Sequence, residues 1–172
     1  MVGDPTVSAA SLTLSSIMKI FGKYQAYQSL KIKETDKGLR EEISRRISMI
    51  INHINTLEAR ALESKDAQKI TAIVRVRSDL ADFTKDIQYG PTGATDRASS
   101  SEILQKNQIK SLLEHDLEVL KRLVEATHMV NQILDSNVKN DGEGITNILE
   151  LEQKIVGVRN RFNDRLSFLS KL

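Results

Sequence analysis

Between Leu39 and Ala61 the apolar residues Leu39, Ile43, Ile47, Ile50, Ile54, Leu57 and Ala61 recur at steps of four, four, three, four, three and four. Threes and fours return a side chain to the same face of an α-helix at every turn. A strand cannot use this spacing, because its faces alternate every second residue. Sustained over so many turns, it is the pattern of a helix packed lengthwise against other helices.

The rest of the chain repeats the pattern. Asp4 and Pro5 offer an N-cap and a first helical position. Behind them Leu14, Ile17, Phe21, Tyr24 and Gln28 share a stripe, which Ile20 and Tyr27 widen and Lys19 and Lys23 flank. This predicts an amphipathic N-terminal helix over 5–34. Ile70, Ile73, Val76, Leu80, Phe83 and Ile87 form a further stripe, as do Ile148, Leu151, Ile155, Val158, Phe162, Leu166 and Leu169. Ile109, Leu112, Leu113, Leu117, Leu120, Leu123, Val124, Val130, Ile133 and Leu134 cover more than half of a helical wheel. That breadth predicts a central helix with neighbours on several sides.

Apolar residues almost vanish from Glu63 to Lys69, with neither glycine nor proline to mark a join. Either the chain reverses there or one helix of about 50 residues, about 75 Å long, runs through. The first seam, continued in register, would land on Ser64, Gln68, Thr71 and Arg75, which favours a hairpin turn. Loops are expected near 88–99 and 136–144, with Ser99 and Glu102 in capping-box relation beyond the first. No segment alternates with period two for long enough to make a strand. The expected fold is all-α: one domain over 1–172, an antiparallel bundle of four to five long amphipathic helices.

Composition narrows the function classes. The chain has 172 residues, enough for a substantial core, and no cysteine, which excludes disulfides, zinc–thiolate sites and thiol chemistry. Its 25 basic and 23 acidic residues are well mixed, unlike the basic stripe of a protein that neutralises phosphates. No apolar run approaches the roughly 18 residues of a membrane span, and the N-terminus lacks the order of a secretory signal. The expected setting is soluble and cytoplasmic.

Candidate motifs weigh against chemistry. "GPTGATDR", Gly90 to Arg97, begins like a phosphate loop, but Thr95, Asp96 and Arg97 stand where glycine, lysine and a hydroxyl are needed. It reads as a helix stop and restart. Glu125 and His128 form one E-x-x-H, half of a di-iron signature, yet His53 and His115 lack a glutamate three residues before them. A solvated charged face explains it better. No serine sits on a glycine-flanked elbow. The arginine-rich stretch Arg159 to Arg165 contains Asp164 and reads as solvated surface. Gly157 costs a helix about 1 kcal/mol against alanine, which a close helix crossing would explain.

Two charges break the pattern. Arg77 falls within the apolar stripe of its helix and Asp116 within an arc of leucines. An unpaired charge facing a core is costly. The two are expected to pair with each other, or one marks a surface buried in an oligomer; Arg77 has the further option of reaching outward along its stem.

No enzyme, cofactor, metal or small-molecule ligand is indicated. The expected function is a scaffold, adaptor or self-assembling protein acting through helix faces, with a protein partner or a second copy. The alternative is assembly at an anionic membrane surface through Lys19, Phe21, Lys23, Tyr24 and Tyr27. An amphipathic leader followed by a helical hairpin resembles, in layout, ESCRT-III and related membrane-remodelling proteins. A nucleic-acid-associated bundle is the weaker alternative.

Overall fold

The computed structural model describes residues 32–90, 106–136 and 141–169. They form four helices: α1 (Ile32–Glu63), α2 (Ala67–Tyr89), α3 (Lys106–Ser136) and α4 (Asp141–Leu169). Lys19, Phe21, Lys23, Tyr24 and Tyr27 lie outside the described residues, as do Pro91 to Arg97 and the Ser99–Glu102 cap.

The polar stretch after Glu63 is a turn. Ser64, Lys65 and Asp66 donate their amides to the carbonyls of Arg60, Leu62 and Ala61 at 3.0–3.1 Å, so the last carbonyls of α1 keep partners. Lys65 adopts φ 54°, the left-handed conformation that lets a helix end in so few residues. Asp66 then caps α2, its carboxylate accepting from the Lys69 amide at 3.0 Å.

Side-chain contacts give the directions. Arg40 of α1 reaches the carbonyl of Ile87 in α2, and Arg77 of α2 reaches Glu58 of α1, so these helices run in opposite senses. Asp116 of α3 bonds Arg165 of α4, and Arg122 lies 3.6 Å from where a Cβ on Gly157 would sit, so this pair is also a hairpin. Between hairpins the senses agree. Arg75 pairs with Glu152 and Asp86 with Arg159, so α2 runs along α4. Likewise Arg60 of α1 donates to the Leu134 carbonyl of α3, while Arg165 holds Asp36 and Asp116 at one level. The bundle is thus two antiparallel hairpins laid side by side in the same sense.

The main packing follows a ring: α1 on α2, α2 on α4, α4 on α3, and α3 on α1. This corrects the expected central place of α3, which has two main neighbours like every other helix. Its broad apolar arc spills outward, with Leu117 38% exposed.

Leu39, Ala72, Leu120, Met129 and Leu166 are buried beside the seams; the other buried positions follow strict alternation of fours and threes. In α1 they are Asp36, Arg40, Ile43, Ile47, Ile50, Ile54, Leu57 and Ala61; in α3, Leu112, Asp116, Val119, Leu123, Ala126, Val130 and Ile133. In α2 they are Lys69, Ile73, Val76, Leu80, Phe83 and Ile87; in α4, Ile148, Leu151, Ile155, Val158, Phe162 and Arg165. Both ends of α1, the first described turns of α3 and the last turns of α2 and α4 therefore sit in one core. Its composition changes along its length.

Candidate functional site: a buried ionic layer and the groove beside it

At the end of the bundle where α1 begins and α4 finishes, the seam turns from apolar to charged. Asp36, Arg40, Asp116 and Arg165 occupy seam positions and are at most 9% exposed. Burying any one of them alone would cost several kcal/mol, so their mutual arrangement decides whether the layer is tolerable. Arg165, wholly buried, donates from Nε to Asp116 and from Nη1 to Asp36 Oδ1 at 2.6 Å. The other oxygen of Asp36 accepts from Arg40 Nε at 2.8 Å, and Arg40 Nη1 donates to the Ile87 carbonyl. Two carboxylates and two guanidiniums thus form a neutral relay that touches all four helices.

Aromatic rings back the layer. The Arg40 guanidinium lies 5.5 Å from the centroid of Phe162, and the Phe162 and Phe83 rings meet edge to face with centroids 5.6 Å apart. Arginine suits this work because its planar fork binds two acceptors at once and stays charged. A guanidinium gives up no proton, so the layer organises charge and passes none along.

Neighbouring ionisable groups feel the same end. Burial holds the His115 imidazole below its ordinary pKa, the Arg161 charge adds to this, and the charges of Asp116 and Asp164 oppose it. Its ring packs 5.6 Å from that of Phe168. Burial pushes the Asp86 carboxyl up, but hydrogen bonds from Arg159 at 2.6 Å and Asn163 at 3.3 Å outweigh that and hold it below the usual range.

Two glycines behave in opposite ways. A Cβ on Gly90 would lie 2.3 Å from the Asp86 carbonyl oxygen of α2's own last turn and 2.7 Å from Leu166 Cδ1 on α4, so no side chain fits without a shift of the backbone there. At Gly157 a Cβ would meet only Arg122 Nη1, at 3.6 Å. A close helix crossing, which would have explained the glycine, is not what surrounds it. Gly157 instead floors a charged outer groove between α3 and α4, beside Glu118, Lys121, Arg122 and Lys154.

Asp116 and Arg77 do not form the expected pair. Asp116 is buried against Arg165, while Arg77 pairs with Glu58 and reaches Asn55 at 3.4 Å. The reason is height: Arg77 lies near the turn end of α2 and Asp116 at the opposite end of the bundle. The solvated reading of Arg159 to Arg165 is corrected too, since Arg165 is the most deeply buried cation described and Arg159 is held by Asp86. Glu125 and His128 are exposed on the outer α3–α4 face. Among the described residues no group of three histidine or acidic side chains is placed to hold a metal ion, and no helix is long and apolar enough to cross a membrane.

Outside the ionic layer, α1 and the end of α2 border an open groove of roughly 800 Å³ with mostly apolar walls. Ile87 is its one aliphatic side chain, so the carbon surface comes largely from the stems of residues such as Lys37, Arg40 and Arg45. Ser44 and Ser48 keep its α1 wall low, one helical turn apart. Compared with protein-family models, with curated proteins and with solved structures, the chain matches none of them.

Proposed function

We propose that the protein is a non-catalytic, self-assembling helical scaffold whose bundle serves as a rigid post and whose outer helix faces make the contacts. The observation that carries this reading is the groove along α1, mostly apolar in its walls, on the outside of the buried core. Carbon surface rimmed by Lys37, Glu41 and Arg45 has the apolar-centre, polar-rim layout of a protein contact. The ionic layer beneath the groove supports it, since Asp36 and Arg40 belong to both. Such a wall keeps its shape when a partner docks, which limits the ordering cost of association.

Light scattering on the full chain across a dilution series tests the reading. The expected result is a mass above that of the 19.3 kDa chain that falls on dilution. A strict monomer at every concentration contradicts it.

A further inference from the structure

We propose that the outer groove between α3 and α4 seats a helix of a separate protein partner, acidic at its centre and basic toward its ends. This face is not the α1–α2 groove, and the inference stands whether or not the chain self-associates.

The spacing that builds the core recurs here in polar residues. On α4, Asn147, Glu150, Lys154, Gly157, Arg161 and Asp164 follow at three, four, three, four and three. On α3, Glu114, Glu118, Lys121, Glu125, His128 and Gln132 follow at four, three, four, three and four. These residues line three concavities of roughly 390, 380 and 640 Å³, which share members and so run end to end along the hairpin. From Glu114 to Gln132 the groove extends about 27 Å at about 1.5 Å per residue, the length of a helix of about 18 residues. Leu117, Met129 and Ile133 give it apolar ground. Two helices with matched rows of threes and fours offer the seat that a third helix takes in a bundle.

Gly157 is the observation that points to an occupant. A glycine weakens a helix interior, and no neighbour within the chain needs the space, since a Cβ there would meet only Arg122 Nη1 at 3.6 Å. Its place near the middle of the groove lets another chain lie close to the α4 backbone.

Charge decides the kind of chain. Lys121 and Arg122 stand beside Gly157, with Lys154 and Arg161 one turn to either side of it. Glu118, held by Arg122 at 2.6 Å, and Glu125 lie among them. Glu150 closes one end, and Glu114 with Asp164 the other. The middle of the groove is therefore net positive and its ends net negative. The cations are only loosely engaged by the end acids: Lys154 lies 3.9 Å from Glu150 and Arg161 3.8 Å from Asp164. Arg161 Nε is buried with no acceptor among the described residues. Both side chains keep donors for a partner's carboxylates. The α2–α4 edge, by contrast, is strapped by Arg75–Glu152 and Arg159–Asp86 at 2.7 and 2.6 Å, whereas Arg122–Glu118, Lys154–Glu150 and Arg161–Asp164 each stay within one helix. A helix with central acids and terminal bases complements this pattern. A second copy laid face to face about a two-fold axis at Gly157 would set cation on cation.

The test titrates the full chain into a labelled 18-residue helical peptide of alanine and leucine, with two central glutamates and two lysines at each end. A twin of reversed charge is measured beside it by fluorescence anisotropy. The acid-centred peptide is expected to bind at least about tenfold more tightly than the twin. Lys121→Glu should reverse that preference, and Gly157→Leu should weaken binding by at least about tenfold. Lys121 is exposed and Gly157 faces open space, so neither change removes a core contact; circular dichroism melts check both folds.

Equal affinity for the two peptides, no binding of either, a preference that survives Lys121→Glu, or binding untouched by Gly157→Leu overturns the inference. So does a loss of the chain's own self-association in Gly157→Leu, which gives the groove to a second copy. A monomeric wild type that binds the acid-centred peptide with the expected preference overturns the self-assembly reading and supports this one.

Discussion

The two ends of the bundle use one spacing for opposite purposes. Near the α1–α2 turn the core holds Ile54, Leu57, Ile73, Val76, Val130, Ile133, Ile148 and Leu151, all at most 2% exposed, and its one charged seam residue, Lys69, pairs with the Asp66 cap at the rim. At the other end the same seam positions hold Asp36, Arg40, Asp116 and Arg165. An apolar seam stabilises but is nearly periodic, so a slide of one heptad sets aliphatic against aliphatic at modest cost. The ionic end does not tolerate a slide, because Arg165 would then be buried away from both carboxylates. Polar residues at seam positions are known to select register in this way. The comparison teaches that stability is spread along the bundle and register is set at one end.

The largest expected effect breaks the ionic end. Arg165→Met removes the cation shared by Asp36 and Asp116, and the loss should be about 3–5 kcal/mol in urea unfolding. At the apolar end Ile54→Ala is expected to cost about 2–5 kcal/mol through the cavity it leaves. The two should differ in kind: Ile54→Ala keeps a single well-dispersed set of amide resonances, whereas Arg165→Met broadens or multiplies those of the first turns of α1 and α3. Equal broadening in both variants would erase the distinction between the ends.

The glycines sharpen the comparison at lower cost. Gly90→Ala sets a methyl against the Asp86 carbonyl and the Leu166 side chain, shifting the backbone that follows α2, with an expected loss of about 1–3 kcal/mol. Gly157→Ala meets no obstacle and should raise stability by about 1 kcal/mol, seen as a higher melting temperature. A lower one would show that α4 needs more room than its surroundings indicate.

The smallest effect is a pH dependence near the ionic layer. The folded state holds His115 below its ordinary pKa, chiefly through burial. Between that lowered value and about 6.5 the unfolded chain binds the proton more readily. Stability from this group is therefore full above about pH 6.5 and falls as the pH drops below it. His115→Gln should flatten the pH dependence of the unfolding midpoint just below about pH 6.5; an unchanged slope assigns it to other groups.

Much of the helical architecture was legible from residue spacing. Every residue of the Leu39 to Ala61 seam is buried, and the α2 and α4 stripes are buried apart from half-buried Ile70 and Leu169, whose side chain is not described. The ionic layer was harder to see because reading only apolar letters skips it. Counted as strict fours and threes, the α1 seam runs back from Ile43 to Arg40 and Asp36, and the α4 seam runs on from Phe162 to Arg165. Asp116 stood out because leucines surround it, but its partner lies 49 residues away on α4. Spacing within one helix cannot supply that height match. In α3 the leucine count overstated burial at Leu117, while Val119, Ala126 and Met129 carry core positions.

Chemical unfolding of three chains, wild type, Arg165→Met and the double variant Asp116→Leu/Arg165→Met, tests most directly whether the ionic layer is a matched set. In the double variant Asp36 retains Arg40, and an apolar pair replaces the exchanged charges. The single variant should lose about 3–5 kcal/mol and the double should recover most of it. A single variant that unfolds at the wild-type midpoint, or a double variant no more stable than the single, would contradict the role assigned to Arg165.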